Sequence, residues 1–301
     1  MTVAPRRDAT ASCVLPARAE LGECPLWSPR EERLYWVDID GREVHRFDPA
    51  TGADESRAMP GRPTAVALTS EIGRLLVAVE LRLGFLDWTT GSWSDWTTLE
   101  ADNGGNRLND GRCDPAGRFW VGSMFEPTGA GRSTGILHRV SGDGTVADLR
   151  SGIGVSNGLA FSPDGRTMYF ADTPRRTVWA FDFDPDDGHP SNERVFLDFS
   201  TLPGKPDGAC VDSDGCYWTA CVYGSAVARV TPDGRVDRLI ELPVEKPSMP
   251  AFGGSDMTTV FVTSIRRGVA GDPKQPEAGS LFAFDAGVRG LPEPVFAGGP
   301  R

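Results

Sequence analysis

A short hydrophobic pattern returns six times along the chain. Each copy is a turn followed by a run of large apolar residues that ends in small or polar ones. The first residues of successive runs lie 41, 44, 49, 49 and 43 positions apart. This spacing suits one four-stranded sheet per repeat, so the pattern predicts an all-β chain folded as a six-bladed β-propeller. The six runs are residues 34–37, 75–78, 119–122, 168–171, 217–220 and 260–263.

Further strands are predicted between these runs, because apolar and polar residues alternate there and turn residues follow. Third strands are expected at 43–48, 83–88, 136–140, 178–183, 226–230 and 280–285, and outer strands at 194–199 and 236–242. We expect a single propeller domain over residues 11–301 after a flexible tail of residues 1–10. Two segments are candidates for the strand that closes the ring, 13–17 and 294–297. Two long irregular segments, 123–133 and 266–279, are interpreted either as lids over a site or as mobile turns.

One column of the aligned repeats carries oxygen-bearing side chains. The position five residues before each turn is always occupied by such a residue, and it should lie on the innermost strand of its blade. Equivalent positions on six inner strands converge on the central channel. A plain alternative is that these residues cap strands and line a water-filled channel. The six residues are Glu23, Thr64, Asn109, Asn157, Asp207 and Ser248.

The chemistry of this column favours a cation. Two carboxylates aimed into one small space repel each other unless a positive charge lies between them, and carboxamide oxygens add neutral ligands. No His or Cys belongs to the column, so a hard, oxygen-preferring ion is expected. Ca²⁺ fits best, and Mg²⁺, Mn²⁺ or Zn²⁺ could take its place. The three histidines, two in third strands and His189 in a turn, fall outside the column.

The composition of the chain limits the classes of partner that it can bind. The formal net charge is −11 and no basic run is present, which argues against nucleic acid and anionic membrane surfaces as partners. The first ten residues lack an apolar segment, and no stretch is long enough to span a bilayer. Six cysteines without a compact framework indicate reduced, mostly buried thiols and a cytoplasmic protein. No obligate protein partner is indicated.

Four short motifs resemble those of one known family. They are Leu-Gly-Glu-Cys-Pro-Leu-Trp at 21–27, Asn-Arg-Leu-Asn-Asp-Gly at 106–111, Ser-Asn-Gly-Leu at 156–159 and Pro-Asp-Gly at 206–208. The chain is similar to the senescence-marker-protein, gluconolactonase and luciferin-regenerating-enzyme family from about residue 20 to residue 299. The resemblance implies a six-bladed propeller with a divalent metal on its axis. It also implies that the substrate is a small sugar lactone.

The resemblance assigns roles to individual residues. It implies Glu23, Asn157 and Asp207 as metal ligands, with Asp207 also the general base. It implies that Arg107 and Asn109 contact the substrate. One feature departs from the family pattern: after Gly-Ser-Met at 122–124 the chain continues Phe-Glu-Pro, so Glu126 is the candidate for the acidic substrate-binding residue of this loop.

The favoured hypothesis is metal-dependent hydrolysis of an aldonolactone to the aldonic acid. The metal would polarise the lactone carbonyl, and Asp207 would take a proton from water. No Ser-His-Asp arrangement is visible. Two other functions remain open, which are hydrolysis of organophosphates or aryl esters at the same metal and a non-catalytic Ca²⁺-binding interaction propeller.

Overall fold

The computed structural model describes residues 6–8 and 11–299, and it shows the predicted six-bladed β-propeller. Two short strands come first in the chain, β1 (Arg6–Asp8) and β2 (Ser12–Leu15). The remaining predicted tail residues, 1–5 and 9–10, lie outside the described residues. Within the described ranges, no helix is long and apolar enough to cross a lipid bilayer.

Blades 1 to 3 are four-stranded antiparallel sheets whose strands follow one another in the chain. Each sheet runs from an inner first strand to an outer fourth strand. Blade 1 contains β3 to β6, at Gly22–Ser28, Arg33–Asp38, Glu43–Asp48 and Ala53–Ala58. Blade 2 contains β7 to β10, at Pro63–Leu68, Arg74–Val79, Arg82–Asp87 and Trp93–Thr98. Blade 3 contains β11 to β14, at Asn106–Cys113, Phe119–Phe125, Gly135–Val140 and Val146–Ile153.

Blades 4 to 6 continue the same order, and the last blade supplies three strands of its own. Blade 4 contains β15 to β18, at Ser156–Phe161, Thr167–Asp172, Thr177–Asp184 and His189–Asp198. Blade 5 contains β19 to β22, at Lys205–Val211, Tyr217–Val222, Ala226–Val230 and Val236–Glu241. Blade 6 contains β23 to β25, at Pro247–Gly253, Thr259–Ser264 and Leu281–Asp285. Two short 3-10 helices lie at Thr173–Arg175 and Phe199–Thr201.

The N-terminal segment closes the ring. Strand β2 pairs antiparallel with β25, with Cys13 opposite Phe282, and so becomes the outer strand of blade 6. Of the two candidates, segment 13–17 therefore holds the closing strand, with bounds Ser12–Leu15. The other candidate, 294–297, runs beside blades 2 and 3: the Phe296 amide donates to the Leu68 carbonyl, and the Ala297 amide donates to the Gly117 carbonyl. Strand β1 adds a fifth, parallel strand to blade 5.

Several predicted boundaries need correction. The outer strand of blade 4 begins at His189, not 194, so His189 lies in a strand and not in a turn. Phe199 belongs to a 3-10 helix. The first three residues of the predicted irregular segment 123–133 extend β12, whereas segment 266–279 does lie outside the strands.

The hydrophobic core lies between the blades. The six apolar runs occupy the second strands, whose side chains are almost wholly buried. All six cysteines lie in the described part of the chain as free thiols, and five are buried. The first strand of each blade contacts the first strands of both neighbouring blades. The six first strands therefore surround the axis, as predicted, and carry any side chain that enters the channel.

Candidate active site

A β-bulge interrupts every inner strand at the oxygen-bearing column. In β11 the pairing with β12 shifts register between Leu108 and Gly111, and in β19 the pairing with β20 shifts between Pro206 and Ala209. Similar shifts occur in the other four inner strands. A bulge re-aims side chains that regular pleating would direct elsewhere. All six column residues are buried. The repeated bulge therefore accompanies six buried polar side chains, one in each blade.

Two predicted residues meet directly across blades 3 and 4. The Nδ2 group of Asn109 donates to Oδ1 of Asn157 at 3.2 Å and to the carbonyl of Ser156 at 2.8 Å. A second link fixes the Asn157 amide, because its Nδ2 donates to Thr173 Oγ1 at 2.8 Å. Thr173 in turn donates to the carbonyl of Pro206 at 2.8 Å, immediately before Asp207. Thr173 thus connects the neighbourhoods of Asn157 and Asp207, a role that motif matching did not find.

The two hydroxyl members of the column behave differently from the rest. Ser248 Oγ lies 2.6 Å from the carbonyl oxygen of Gly22 and 2.8 Å from Thr263 Oγ1, so local contacts occupy it. The buried Thr64 Oγ1 has no hydrogen-bond partner among the described residues. The polar chemistry of the axis therefore rests on the acids and amides.

Three buried carboxyl groups interact electrostatically at the axis. Burial, opposed by a hydrogen bond from the Cys24 amide and assisted by the nearby Asp110, raises the pKa of Glu23 to about 8. Burial, with the charges of Glu23 and Asp110, raises the pKa of Asp207 well above its usual value. Each acid disfavours the ionised form of its neighbours. The site thus holds acids that need a positive charge to ionise together.

Asp110 is an axial acid that the column did not include. It directly follows Asn109, and simple alternation along a strand would place it on the opposite face. The bulge removes that alternation. Asp110 Oδ2 accepts from the Leu159 amide at 2.9 Å, while the buried Oδ1 has no partner among the described residues. The Asn-Asp-Gly sequence, which favours irregular backbone, was the available signal.

A charged cluster lies beside the axis. The carboxylate of Glu126 is held between two guanidiniums: Arg107 Nε donates to its Oε1 at 3.2 Å, and Arg62 Nη1 donates to its Oε2. Arg62 also pairs with Glu80 at 2.9 Å. Burial alone would raise the pKa of Glu126, but the two arginines together hold it below its usual range. The structure therefore brings Glu126 beside Arg107, while Arg62 is a member that sequence reasoning missed.

Arg107 itself is buried and well anchored. Its Nη1 donates to Asn109 Oδ1 at 2.6 Å and to the Leu108 carbonyl at 2.9 Å. Its Nη2 makes no hydrogen bond within the described residues. A guanidinium held on two of its three nitrogens has a fixed plane and retains donors for a ligand oxygen.

The donor set fits a hard divalent cation. No group of three or more His, Cys, Asp or Glu side chains within residues 6–8 and 11–299 is arranged as a metal site. The predicted set contains only two acids, Glu23 and Asp207. Its third ligand would be the amide oxygen of Asn157. Buried acids with raised pKa values gain most from a cation, and oxygen-only donors match Ca²⁺ or Mg²⁺.

The chain is similar to known proteins over most of its length. A family model described as the SMP-30/Gluconolactonase/LRE-like region matches residues 21–266. A 6-deoxy-6-sulfogluconolactonase from Pseudomonas putida is 38% identical over 294 residues, which cover 96% of this chain and 99% of the relative. A pentonolactonase from Haloferax volcanii is 35% identical over 294 residues, covering 94% of this chain and 97% of the relative.

A solved structure shares the whole fold. It is described as a calcium-binding protein, regucalcin, from Agrobacterium tumefaciens, and it superposes with a TM-score of 0.92 at 31% sequence identity. The match covers 98% of this chain and 99% of the other. The match therefore takes in nearly the whole propeller.

Proposed function

The chain belongs to the SMP-30/gluconolactonase/LRE-like family, as its four motifs predicted, and from this premise we propose that it is a lactonase that hydrolyses a sugar lactone to the aldonic acid. One observation carries the proposal beyond family membership. Buried acids with raised pKa values share the axis with an amide pair and an anchored arginine. A purely structural ion would not need an arginine with free donors beside it.

Glu23, Asn157 and Asp207 would hold the divalent ion. When bound, such an ion supplies Lewis acidity to a carbonyl oxygen and stabilises the charge that develops there. The similarity to a calcium-binding relative supports Ca²⁺ as the first ion to test. The oxygen-only donor set supports the same choice.

The protein's own residues would orient the substrate and move the proton. Asp207 would accept a proton from the attacking water at a carboxylate oxygen, and would return it to the ring oxygen as the ring C–O bond of the lactone breaks. A bound cation would keep Asp207 ionised, which is the form that can accept a proton. Arg107 would donate from Nη2 to a ring or hydroxyl oxygen of the sugar, and Asn109 would share that contact. Glu126 would hold the guanidinium in place and accept from a sugar hydroxyl. Fixing the ring beside Asp207 turns an encounter into a reactive geometry.

A metal-restoration assay tests this function. The protein is stripped with EDTA and offered glucono-, xylono-, galactono- and arabinono-lactones, with Ca²⁺, Mg²⁺, Mn²⁺ or Zn²⁺ added back, while acid release is followed. We expect metal-restored hydrolysis of at least one lactone. No release above the spontaneous rate with any metal would contradict the proposal and favour a non-catalytic Ca²⁺-binding propeller. Release only from aryl esters or organophosphates would favour the other hydrolase.

A further inference from the structure

Lysine is rare in this chain. Among 31 basic residues, Lys occurs only at positions 205, 246 and 274. Two of the three occupy equivalent places in blades 5 and 6. Each stands two residues before a column residue and is followed by proline, in Lys-Pro-Asp at 205–207 and Lys-Pro-Ser at 246–248. Both therefore lie where an inner strand starts, at the mouth of the channel.

The two lysines flank one exposed aromatic ring. The Nζ atoms of Lys205 and Lys246 lie 5.8 and 5.2 Å from the ring centroid of Tyr223. Tyr223 directly follows β20, at the edge where Lys205 pairs with Val222. It is 55% exposed, although large apolar side chains are mostly buried here. Two ammonium groups and a phenol thus share one patch on the rim.

The backbone holds this patch in a fixed shape. Tyr223 has a φ of 64°, a left-handed conformation that is unfavourable for a non-glycine residue. The turn is tied by the Gly224 amide, which donates to the Cys221 carbonyl at 2.8 Å. It also packs on the preceding loop, because a Cβ at Gly204 would lie 2.6 Å from the nitrogen of Gly224. These contacts fix the position of the Tyr223 turn at the rim.

The two ammonium groups lack counterions. Within the described residues, neither Lys205 nor Lys246 pairs with a carboxylate, and the one hydrogen bond of Lys246 goes to the carbonyl of Arg267 at 2.9 Å. Two nearby arginines are paired with acids by contrast: Arg107 with Glu126, and Arg267 with Asp40. In a chain of net charge −11, this rim patch holds cations that are available to an external anion.

The patch is within reach of a substrate held at Asp207. Two residues of a strand span about 7 Å, which is comparable to the length of a six-carbon sugar. A lactone whose carbonyl end lies at the axis would therefore place its far carbon near Lys205. Ammonium groups bind oxyanions through charge-assisted hydrogen bonds, and the phenol adds a neutral donor.

We propose that Lys205, Lys246 and Tyr223 form a subsite for an anionic group at the far end of the sugar, so that the preferred substrates are acidic lactones. This inference rests on the lactonase function proposed above. The ligand group would be an oxyanion. A sulfonate, a phosphate and a carboxylate all present negatively charged oxygens of this kind.

The test compares matched lactones that differ only at the terminal carbon. The arms carry hydroxyl, sulfonate, phosphate or carboxylate there, and kcat/KM is measured for each. We expect the best acidic lactone to exceed the neutral one at least tenfold in the wild type. In the double variant Lys205→Gln/Lys246→Gln that ratio should fall by about tenfold or more, the size expected for loss of a charge-assisted contact. Lys274→Gln, which removes the third lysine, is the matched control and should keep the wild-type ratio.

A second readout does not depend on turnover. Calorimetric titration compares the sulfonated and neutral aldonic acids, because a sulfonate coordinates divalent ions weakly and so reports on the lysines. We expect the wild type and Lys274→Gln to bind the sulfonated acid more tightly, and the double variant to lose that preference. If acidic and neutral ligands gave a ratio near one in the wild type, or the same ratio in all three proteins, the proposed subsite would be wrong. If no lactone is hydrolysed at all, the lactonase proposal fails, and the titration still decides whether the patch binds anions.

Discussion

Arg107 donates from Nη1 to Oδ1 of Asn109 at 2.6 Å, two residues further along β11. This bond sets the orientation of the Asn109 amide, because its oxygen faces the guanidinium and its Nδ2 is directed toward blade 4. There it meets Asn157 Oδ1. One guanidinium therefore orders an amide bridge between two blades and presents its own remaining donors to the channel.

Replacing Arg107 by alanine should impair turnover more than metal binding. We expect kcat/KM on the best lactone to fall by about 100-fold or more, because an oriented charged donor is lost. Calcium affinity, measured by calorimetry, should change by less than about threefold, since Arg107 is not one of the proposed ligands. Arg82→Ala, which removes an arginine in an exposed pair with Asp95, is the control. Unchanged lactone kinetics in Arg107→Ala would show that the substrate site lies elsewhere.

Glu126 should matter through the two arginines that it joins. In Glu126→Gln, Arg107 and Arg62 lose their shared negative charge. We expect a higher KM and a loss of about 2 kcal/mol in the free energy of unfolding, because a buried guanidinium keeps no counterion. Steady-state kinetics and urea unfolding give the two values. Glu71→Gln, at an exposed pair with Arg74, should leave both unchanged. If Glu126→Gln matched that control, Glu126 would have no positioning role.

The repeated spacing made the blades and the column predictable, because six equivalent turns place six equivalent residues. The spacing could not predict features that depend on contacts between distant segments of the chain. Arg62 meets Glu126 across 64 residues, and no local pattern marks that pair. Asp110 was missed because alternation fails at a bulge, and a bulge is visible only once the partner strand is known. The same limit left the ring closure open, since pairing of β2 with β25 joins the two ends of the chain.

Asp207 should be required for both metal binding and turnover. Asp207→Asn keeps the side-chain volume but removes the charge and the basic oxygen. We expect activity to fall at least about 1,000-fold and calcium affinity to weaken by tenfold or more, since it is proposed as both base and ligand. Activity assays at saturating Ca²⁺ separate the two effects. Full activity at high Ca²⁺ would assign Asp207 to the metal alone and leave the base to another group.

Asp212 should contribute stability without contributing chemistry. This fully buried carboxylate accepts from Trp218 Nε1 and from Arg229 Nε, both at 2.8 Å, and so ties the end of β19 to β20 and β21 of the same blade. Asp212→Ala should lower the free energy of unfolding by about 3 kcal/mol, because buried donors lose their partner. Urea unfolding measures this. The exposed Asp233→Ala should leave the free energy of unfolding nearly unchanged. Equal effects at the two positions would contradict the interpretation of Asp212 as a buried anchor.

The buried acids at the axis predict that the metal-free protein becomes less stable as the pH rises, while its stabilisation by Ca²⁺ grows. Burial raises the pKa of Glu23 from 4.5 to about 8, so its proton is held more tightly in the folded than in the unfolded state. The stability from that proton is complete below pH 4.5 and is lost as the pH rises toward 8. The lowered pKa values of Glu80 and Glu126 act at lower pH, outside this window.

The metal-free protein should therefore have a lower Tm at about pH 8 than at about pH 5. Divalent ions bind the deprotonated acids, so the rise in Tm on adding Ca²⁺ should grow over the same interval. Thermal unfolding in EDTA and in excess Ca²⁺ across this range gives both curves. Glu23→Gln should flatten the EDTA curve and reduce the calcium effect. Parallel curves with and without Ca²⁺ would mean that the axial acids do not hold the ion.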